Sequence, residues 1–253
     1  MIYLLNLPQI SASLMSNSYF RFKQFTVRHD RCAMKVGTDG VLLGAWAHVD
    51  GCERILDVGC GTGLLSLMAA QRNRYAHVCG IDVQKDAILQ ARENVLASPF
   101  SERIEITEAD VRNFVGNFDC ILCNPPFFTE DTSSANRGRA IARSTSSLSY
   151  DELCQAAERL LAEDGYFNVV IPFREQANFC ASAIGCGFVL YRRLSVRTVE
   201  RKEPKRLLVT FRKGTYELKE DWEIVLQNPD GSRSSAYCSL TGDFYLSPAQ
   251  QSE

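Results

Sequence analysis

The chain has 253 residues, 45% of them hydrophobic, enough for one α/β domain of ordinary size with a modest appendage. Its formal net charge of −2 announces no nucleic-acid binder, so any basic face must be local. No stretch approaches the roughly 18 apolar residues of a membrane span, and the uncharged start, broken by Pro8, Gln9 and several serines, lacks the basic opening of a secretory signal.

From about residue 53, short apolar runs alternate with helix-period segments, the pattern of βαβ units on a mostly parallel sheet. Arg54 to Val58 reads as a strand, Gly63 to Ala70 as a helix and His77 to Asp82 as the second strand. A helix with Ala87, Ile88, Ala91 and Val95 on one face follows. Ile104 to Thr107 and Phe118 to Cys123 are the third and fourth strands. A polar stretch from Thr129 to Ser147 then precedes a helix whose start is marked by Ser149 and Glu152, spaced as a capping box. Tyr166 to Ile171, Phe188 to Val196 and Leu207 to Phe211 complete the strands, with a helix over Arg174 to Ile184. Beyond Gly214, Trp222 to Leu226 looks extended and Asp230-Gly231 is a turn signal. Residues 1–14 are expected to be a disordered extension, 15–214 the domain, and 215–253 a tail packed on it.

Cys79, Cys120 and Cys123 fall in apolar strands, where free Cys acts as a small hydrophobe, and the setting reads as reducing and cytoplasmic. Cys120 and Cys123 form a C-x-x-C, but residues three apart on a strand face opposite ways. With His29, His48 and His77 far apart, no metal site is expected.

Asp57-Val58-Gly59-Cys60-Gly61-Thr62-Gly63 sits between the first strand and its helix, where glycines allow a sharp turn and close approach of a ligand. Such a turn alone is a weak signal. Asp57 would repel a pyrophosphate but suits the amino acid end and sulfonium of S-adenosylmethionine. Asp82 closes the second strand, where a carboxylate can take both ribose hydroxyls, and Asp110 follows the third, where it can meet the adenine amino group. Val83 and Val111, the residues after these acids, are counted with them in the cofactor site.

Asn124-Pro125-Pro126-Phe127 follows the fourth strand, at the sheet edge where open α/β folds bind ligands. An exocyclic amino nitrogen shares its lone pair with the ring and is a poor nucleophile. Acceptors on both N–H bonds, the Asn124 side-chain oxygen and the Pro125 carbonyl, can turn that lone pair outward. The prolines hold the carbonyl in place, and Phe127 offers a stacking face for a flipped base. All four residues are candidate catalytic groups.

The glycine loop and Asn-Pro-Pro-Phe together resemble the amino methyltransferases that act on adenine, guanine or glutamine nitrogens. The segment from Phe25 to Trp46 is similar to the opening of the bacterial methyltransferases that make N6-methyladenosine beside the anticodon of valine tRNA, and the resemblance runs from about Phe20 to Lys213. It implies a Rossmann-like class I fold with helices on both faces of a mostly parallel seven-stranded sheet whose last strand is antiparallel. It also implies S-adenosylmethionine as methyl donor, with Lys35, Gly37 and Thr38 beside its methionine end and Asn124 close to it. Thr38 is also a candidate cap for the helix through Trp46.

Arg21, Lys23, Arg28 and Arg31 interleave with Phe20, Phe22, Phe25 and His29. Arg137, Arg139 and Arg143 lie on the long loop, and a third cluster, with Arg193 and Arg197, surrounds the last two strands. Arg21, Lys23, Arg28, Arg137, Arg139, Arg143, Arg193 and Arg197 are candidate RNA contacts for a tRNA anticodon stem-loop, with no obligate protein partner in view. The rivals are a guanine-N2 rRNA methyltransferase, a glutamine methyltransferase and, in a different class, a non-catalytic RNA-binding module. Glutamine enzymes resemble a longer architecture with a helical N-terminal domain, whereas only about fifty residues precede the glycine loop here. A binding module has no need of Asn124 and the acid series.

Overall fold

The computed structural model describes residues 18–32, 35–125 and 148–246. A short hairpin, β1 (Tyr19–Arg21) and β2 (Thr26–Arg28), opens it, followed by α1 (Thr38–Trp46). Then come β3 (Arg54–Val58), α2 (Leu64–Arg72), β4 (His77–Asp82), α3 (Lys85–Leu96), β5 (Ile104–Glu108) and β6 (Phe118–Cys123). After the long loop follow α4 (Tyr150–Leu160), β7 (Leu161–Pro172), α5 (Gln176–Gly185), β8 (Phe188–Arg197), β9 (Arg206–Lys213), β10 (Glu220–Val225) and α6 (Ser235–Thr241).

Eight strands form one sheet in the order β10-β8-β9-β7-β6-β3-β4-β5. The seven strands expected from the sequence are β3 to β9, and the last of them, β9, is antiparallel to both neighbours, β7 and β8. The eighth is β10, built from the supposed tail and added to the edge parallel to β8.

Alternation along each strand divides the sheet into two buried faces. Ile55, Cys120, Leu122 and Val170 join a core under α1, α2 and α3. Leu56, Ile121, Cys123 and Phe167 join another under α4 and α5. Cys120 and Cys123 thus lie on opposite faces, and burial pushes both thiols well above their ordinary range, which removes the C-x-x-C from redox chemistry. Ser149 and Glu152 close the anticipated capping box on α4, worth about 1 kcal/mol.

Phe22 and Phe25 do not stack in solvent: they are 2% and 5% exposed, packed against Tyr245 and Phe100. The hairpin is tied to the region after α6 by Lys23 N–H to the Phe244 carbonyl at 2.8 Å and Lys23 Nζ to the Gly242 carbonyl at 2.6 Å. Among the described residues no helix is long and apolar enough to cross a membrane, and no cluster of side chains suits a metal ion.

Candidate active site

Gly59, Gly61 and Gly63 turn the chain from β3 into α2 with φ of 68°, 54° and 78°, a region where an L side chain is strained. A Cβ added at Gly59 would meet nothing within 4 Å, so the loop backbone borders open space. Asp57, just before the loop, is completely buried. Its Oδ2 accepts hydrogen bonds from the Ser66 amide at 2.9 Å and hydroxyl at 2.7 Å, which fastens the first turn of α2 to β3. Its Oδ1 has no hydrogen-bond partner among the described residues. Burial raises the carboxyl to about 7 against the lowering effect of the Ser66 hydrogen bonds, and the nearby Asp82 adds to the rise. A buried acceptor left this way fits a ligand that brings a cationic donor.

At the end of β4, Asp82 takes one backbone donor on each oxygen, Gly61 N–H at 3.0 Å and Gln84 N–H at 2.9 Å. Each oxygen keeps a lone pair for a hydroxyl. Val83 beside it is 58% exposed, an apolar surface at the same rim. The third acid stands differently. Arg112 wraps Asp110 through its Nε and its backbone N–H, holding the carboxyl below the usual carboxylate range, and reaches on to Glu152 at the start of α4. Val111 is 5% exposed at the edge of the core, and its carbonyl accepts Arg159.

Parallel pairing of β3 with β6 sets Val58 opposite Cys123, so Gly59 and Asn124 leave the sheet side by side. Asn124 is half-buried and Pro125 buried, while Pro126 and Phe127 lie outside the described residues. The first turn of α1 closes the other side. A Cβ on Gly40 would stand 3.0 Å from Leu64 Cδ2 and 3.7 Å from Asn124 Nδ2, so the missing side chain lets the helix come this close. The N-cap of α1 is Gly37, in extended backbone, and no side chain caps it. Thr38 is therefore the first helical residue rather than the cap, because the cap needs non-helical backbone, which Gly37 supplies. Lys35 is exposed on the approach to this helix. Asp39 pairs with Arg206 at 2.7 Å, joining α1 to the start of β9 on the same rim.

Sequence reading missed the groups that hold the opening segment in place. The Asn94 side chain on α3 accepts from Arg28 N–H and donates to the Arg28 and Thr62 carbonyls, each at 2.9 Å. One buried amide thereby ties β2 to the glycine loop. Gln90 accepts Arg31 N–H, and Arg31 pairs with Glu93. All three acceptors lie at helical spacing on α3, but polar residues within an amphipathic helix look like its solvated face.

The basic clusters separate. Arg21 and Arg28 are exposed and make no ion pair among the described residues. Arg193 binds Asp221 through two nitrogens at 2.6 Å, Arg197 binds Glu223 at 2.7 Å, and Arg192 binds Glu220 at 2.6 Å. These pairs run between β8 and β10, and the carboxylates hold the Arg193 and Arg197 guanidinium groups above their ordinary range. Arg137, Arg139 and Arg143 lie outside the described residues. A cavity of about 440 Å³ lined by Arg54, His77 and Phe118 sits at the opposite ends of β3 and β4 and takes no part in the site.

The methyltransferase small domain family matches residues 40–179. A protein of Phocaeicola vulgatus named tRNA1(Val) (adenine(37)-N6)-methyltransferase is 45% identical over 92% of this chain and 99% of its own length. A protein of the same name from Dyadobacter fermentans is 43% identical over 91% of this chain and 98% of its own. Among solved structures, a predicted O-methyltransferase of Agrobacterium tumefaciens superposes with a TM-score of 0.65 at 21% identity, over 81% of this chain and 96% of that one. At that identity the likeness shows the fold alone.

Proposed function

Because the chain belongs to the methyltransferase small domain family and to the tRNA1(Val) (adenine(37)-N6)-methyltransferases, we propose that it methylates the N6 amino group of an adenine in tRNA. In this reading the methyl donor is S-adenosylmethionine and the target lies beside the anticodon of valine tRNA, at position 37 in its relatives' name. The work is cytoplasmic.

The observation that carries this reading is the shared exit of β3 and β6, which puts Asn124 beside the start of the glycine loop, just after Asp57, whose Oδ1 has no hydrogen-bond partner among the described residues. Asp57 Oδ1 suits the donor's ammonium, Asp82 suits its ribose hydroxyls, and the open glycine turn suits its close approach. Asp110 takes the adenine amino group in exchange for part of its contact with Arg112. S-adenosylmethionine, when bound, would supply a methyl group made electrophilic by its sulfonium, with the neutral thioether S-adenosylhomocysteine as the leaving group.

The protein's own part is to make the amino nitrogen a nucleophile. Asn124 Oδ1 and the Pro125 carbonyl accept its two N–H bonds, drawing its lone pair out of the ring and toward the donor. These contacts strengthen as the nitrogen becomes tetrahedral, so they favour the transition state over the ground state. No general base is required, since the methylated nitrogen sheds its extra proton to water. Phe127 is assigned the stacking face on its chemistry alone.

The test is to incubate the protein with tritiated S-adenosylmethionine and unmodified valine tRNA, then digest the RNA and identify the labelled nucleoside. N6-methyladenosine supports the reading. Label in guanine, or unlabelled RNA from a protein that labels glutamine when offered a protein acceptor instead, moves the chain to another branch of the amino methyltransferases.

A further inference from the structure

The hairpin at the start of the described chain has two unlike faces. Its register pairs Tyr19 with Arg28, Phe20 with Val27 and Arg21 with Thr26. Alternation therefore puts Phe20 and Val27 on the inner face, and Tyr19, Arg21, Thr26 and Arg28 on the outer one. The inner face is part of the main core. On the outer face Tyr19 is 51% exposed, directly across from the exposed Arg28, with Arg21 on its own strand.

Two properties distinguish this face from ordinary surface. Arg21 and Arg28 have no carboxylate partner among the described residues, whereas Arg192, Arg193 and Arg197 on β8 each have one on β10. An arginine already held by a carboxylate must give it up before it can neutralise a phosphate, while an unpaired one need not. The face is also held at the cofactor rim, because Asn94 joins both backbone groups of Arg28 to the carbonyl of Thr62 in the glycine loop. Lys23 has another duty, its ammonium being fixed on the Gly242 carbonyl.

We propose that the outer face of the β1–β2 hairpin docks the unpaired loop of the RNA substrate, with Tyr19 stacking on a base and Arg21 and Arg28 holding phosphates. The inference rests on the tRNA reading above and adds to it the surface that meets the RNA. The chemistry is that of single-stranded nucleic-acid recognition, a π-face beside cations. It gives the β8 arginines no share in docking.

The test measures binding of an unmodified anticodon stem-loop transcript over a range of salt, for the full chain and for Tyr19→Ala, Tyr19→Phe, Arg21→Ala, Arg28→Ala and Arg193→Ala. Tyr19→Ala is expected to weaken binding about tenfold and Tyr19→Phe to restore it, since stacking needs the ring and not the hydroxyl. Each hairpin arginine variant is expected to lower the slope of log Kd against log salt by about 0.7 to 1, and Arg193→Ala to leave it unchanged. Binding of S-adenosylhomocysteine, followed by calorimetry, reports that each variant is folded. Hairpin variants with wild-type affinity and slope overturn the proposal, as does a slope that falls only in Arg193→Ala. Unchanged RNA affinity with a change of sedimentation in Tyr19→Ala assigns the face to a second copy of the chain and also overturns it. Methylation by the wild type is read in the same samples. RNA methylated at adenine with unaffected hairpin variants sinks only the docking surface, and RNA neither bound nor methylated by the wild type sinks both readings.

Discussion

The two halves of the sheet treat charge in opposite ways. At the ends of β3 and β4, acids are left with capacity to spare: among the described residues Asp57 keeps a buried oxygen with no partner, and Asp82 meets one backbone donor on each oxygen. Around β8 and β10, charge is matched residue by residue, Arg192 to Glu220, Arg193 to Asp221 and Arg197 to Glu223. A carboxylate satisfied within the fold contributes to stability and has little left to offer. One left short is less stable alone and gains most when a ligand arrives.

The sharpest way to break this contrast is at Asn124. If it acts by accepting N–H bonds that tighten in the transition state, Asn124→Ala lowers kcat by about 10² to 10³ and leaves cofactor affinity nearly unchanged. Single-turnover methylation of an anticodon stem-loop measures the first and calorimetry with S-adenosylhomocysteine the second. A full-rate variant would remove the catalytic role of the loop.

Next in size, Asp82→Ala is expected to weaken S-adenosylhomocysteine binding more than tenfold, since two hydroxyls lose a shared acceptor at about 1.5 to 3 kcal/mol. Calorimetry showing unaltered affinity would contradict the assignment.

Asp57 sharpens the contrast through pH. Its pKa in the fold is about 7, above the value near 4 of an unfolded chain, so the folded form binds the proton more tightly. That contribution is whole below about pH 4 and disappears as pH rises through 7, at up to roughly 1.4 kcal/mol for each pH unit. The free protein should therefore melt lower at pH 8 than the same protein carrying Asp57→Asn, with the gap closing toward pH 5. A cationic ligand favours the ionised form, so wild-type affinity for S-adenosylhomocysteine should rise from pH 6 to pH 8 and that of Asp57→Asn should not. Parallel melting curves at all pH values would show that Asp57 is not held protonated.

The smallest effect belongs to the matched half. Asp221→Ala is expected to cost only about 0.2 to 1 kcal/mol, less in high salt, and to leave kcat untouched. Denaturation at two salt concentrations checks it, and a large loss of activity would mean that β10 reaches the site.

What the sequence disclosed follows the same division. Arg54–Val58, His77–Asp82 and Phe118–Cys123 were legible end to end as strands because each is a short run of mostly buried apolar residues, with its few polar residues, such as Arg54, His77 and Asp82, largely at the ends. Ser149 and Glu152 were legible as a cap because both partners lie within one turn. The glycine loop, Asp82 and Asn124 stood out because each sits at a strand end, which a sequence displays directly. The partners of Arg193 and Arg197 did not, because they lie 28 and 26 residues away and depend on the register of an added strand. Val111 stood out because it follows an acid, but its burial in the core depends on contacts from other strands and helices that the sequence does not display. The hairpin was invisible as structure for a similar reason: its strands are three residues long and are held by the Asn94 side chain on α3 and by backbone carbonyls of the region after α6.

That last attachment has a consequence for how the molecule is made. Phe22 and Phe25 are synthesised well before Tyr245, yet Phe22 packs on Tyr245, and the isolated bridge from Phe22 to Tyr245 spans nearly the whole described chain. A ribosome must finish α6 and free the residues after it before the hairpin can seat. The βαβ units, whose contacts are closer in sequence, can order while the chain is still growing. The segment that carries Arg21 and Arg28 is thus among the last to settle, and a chain released early would carry a glycine loop without the hairpin that Asn94 ties to it.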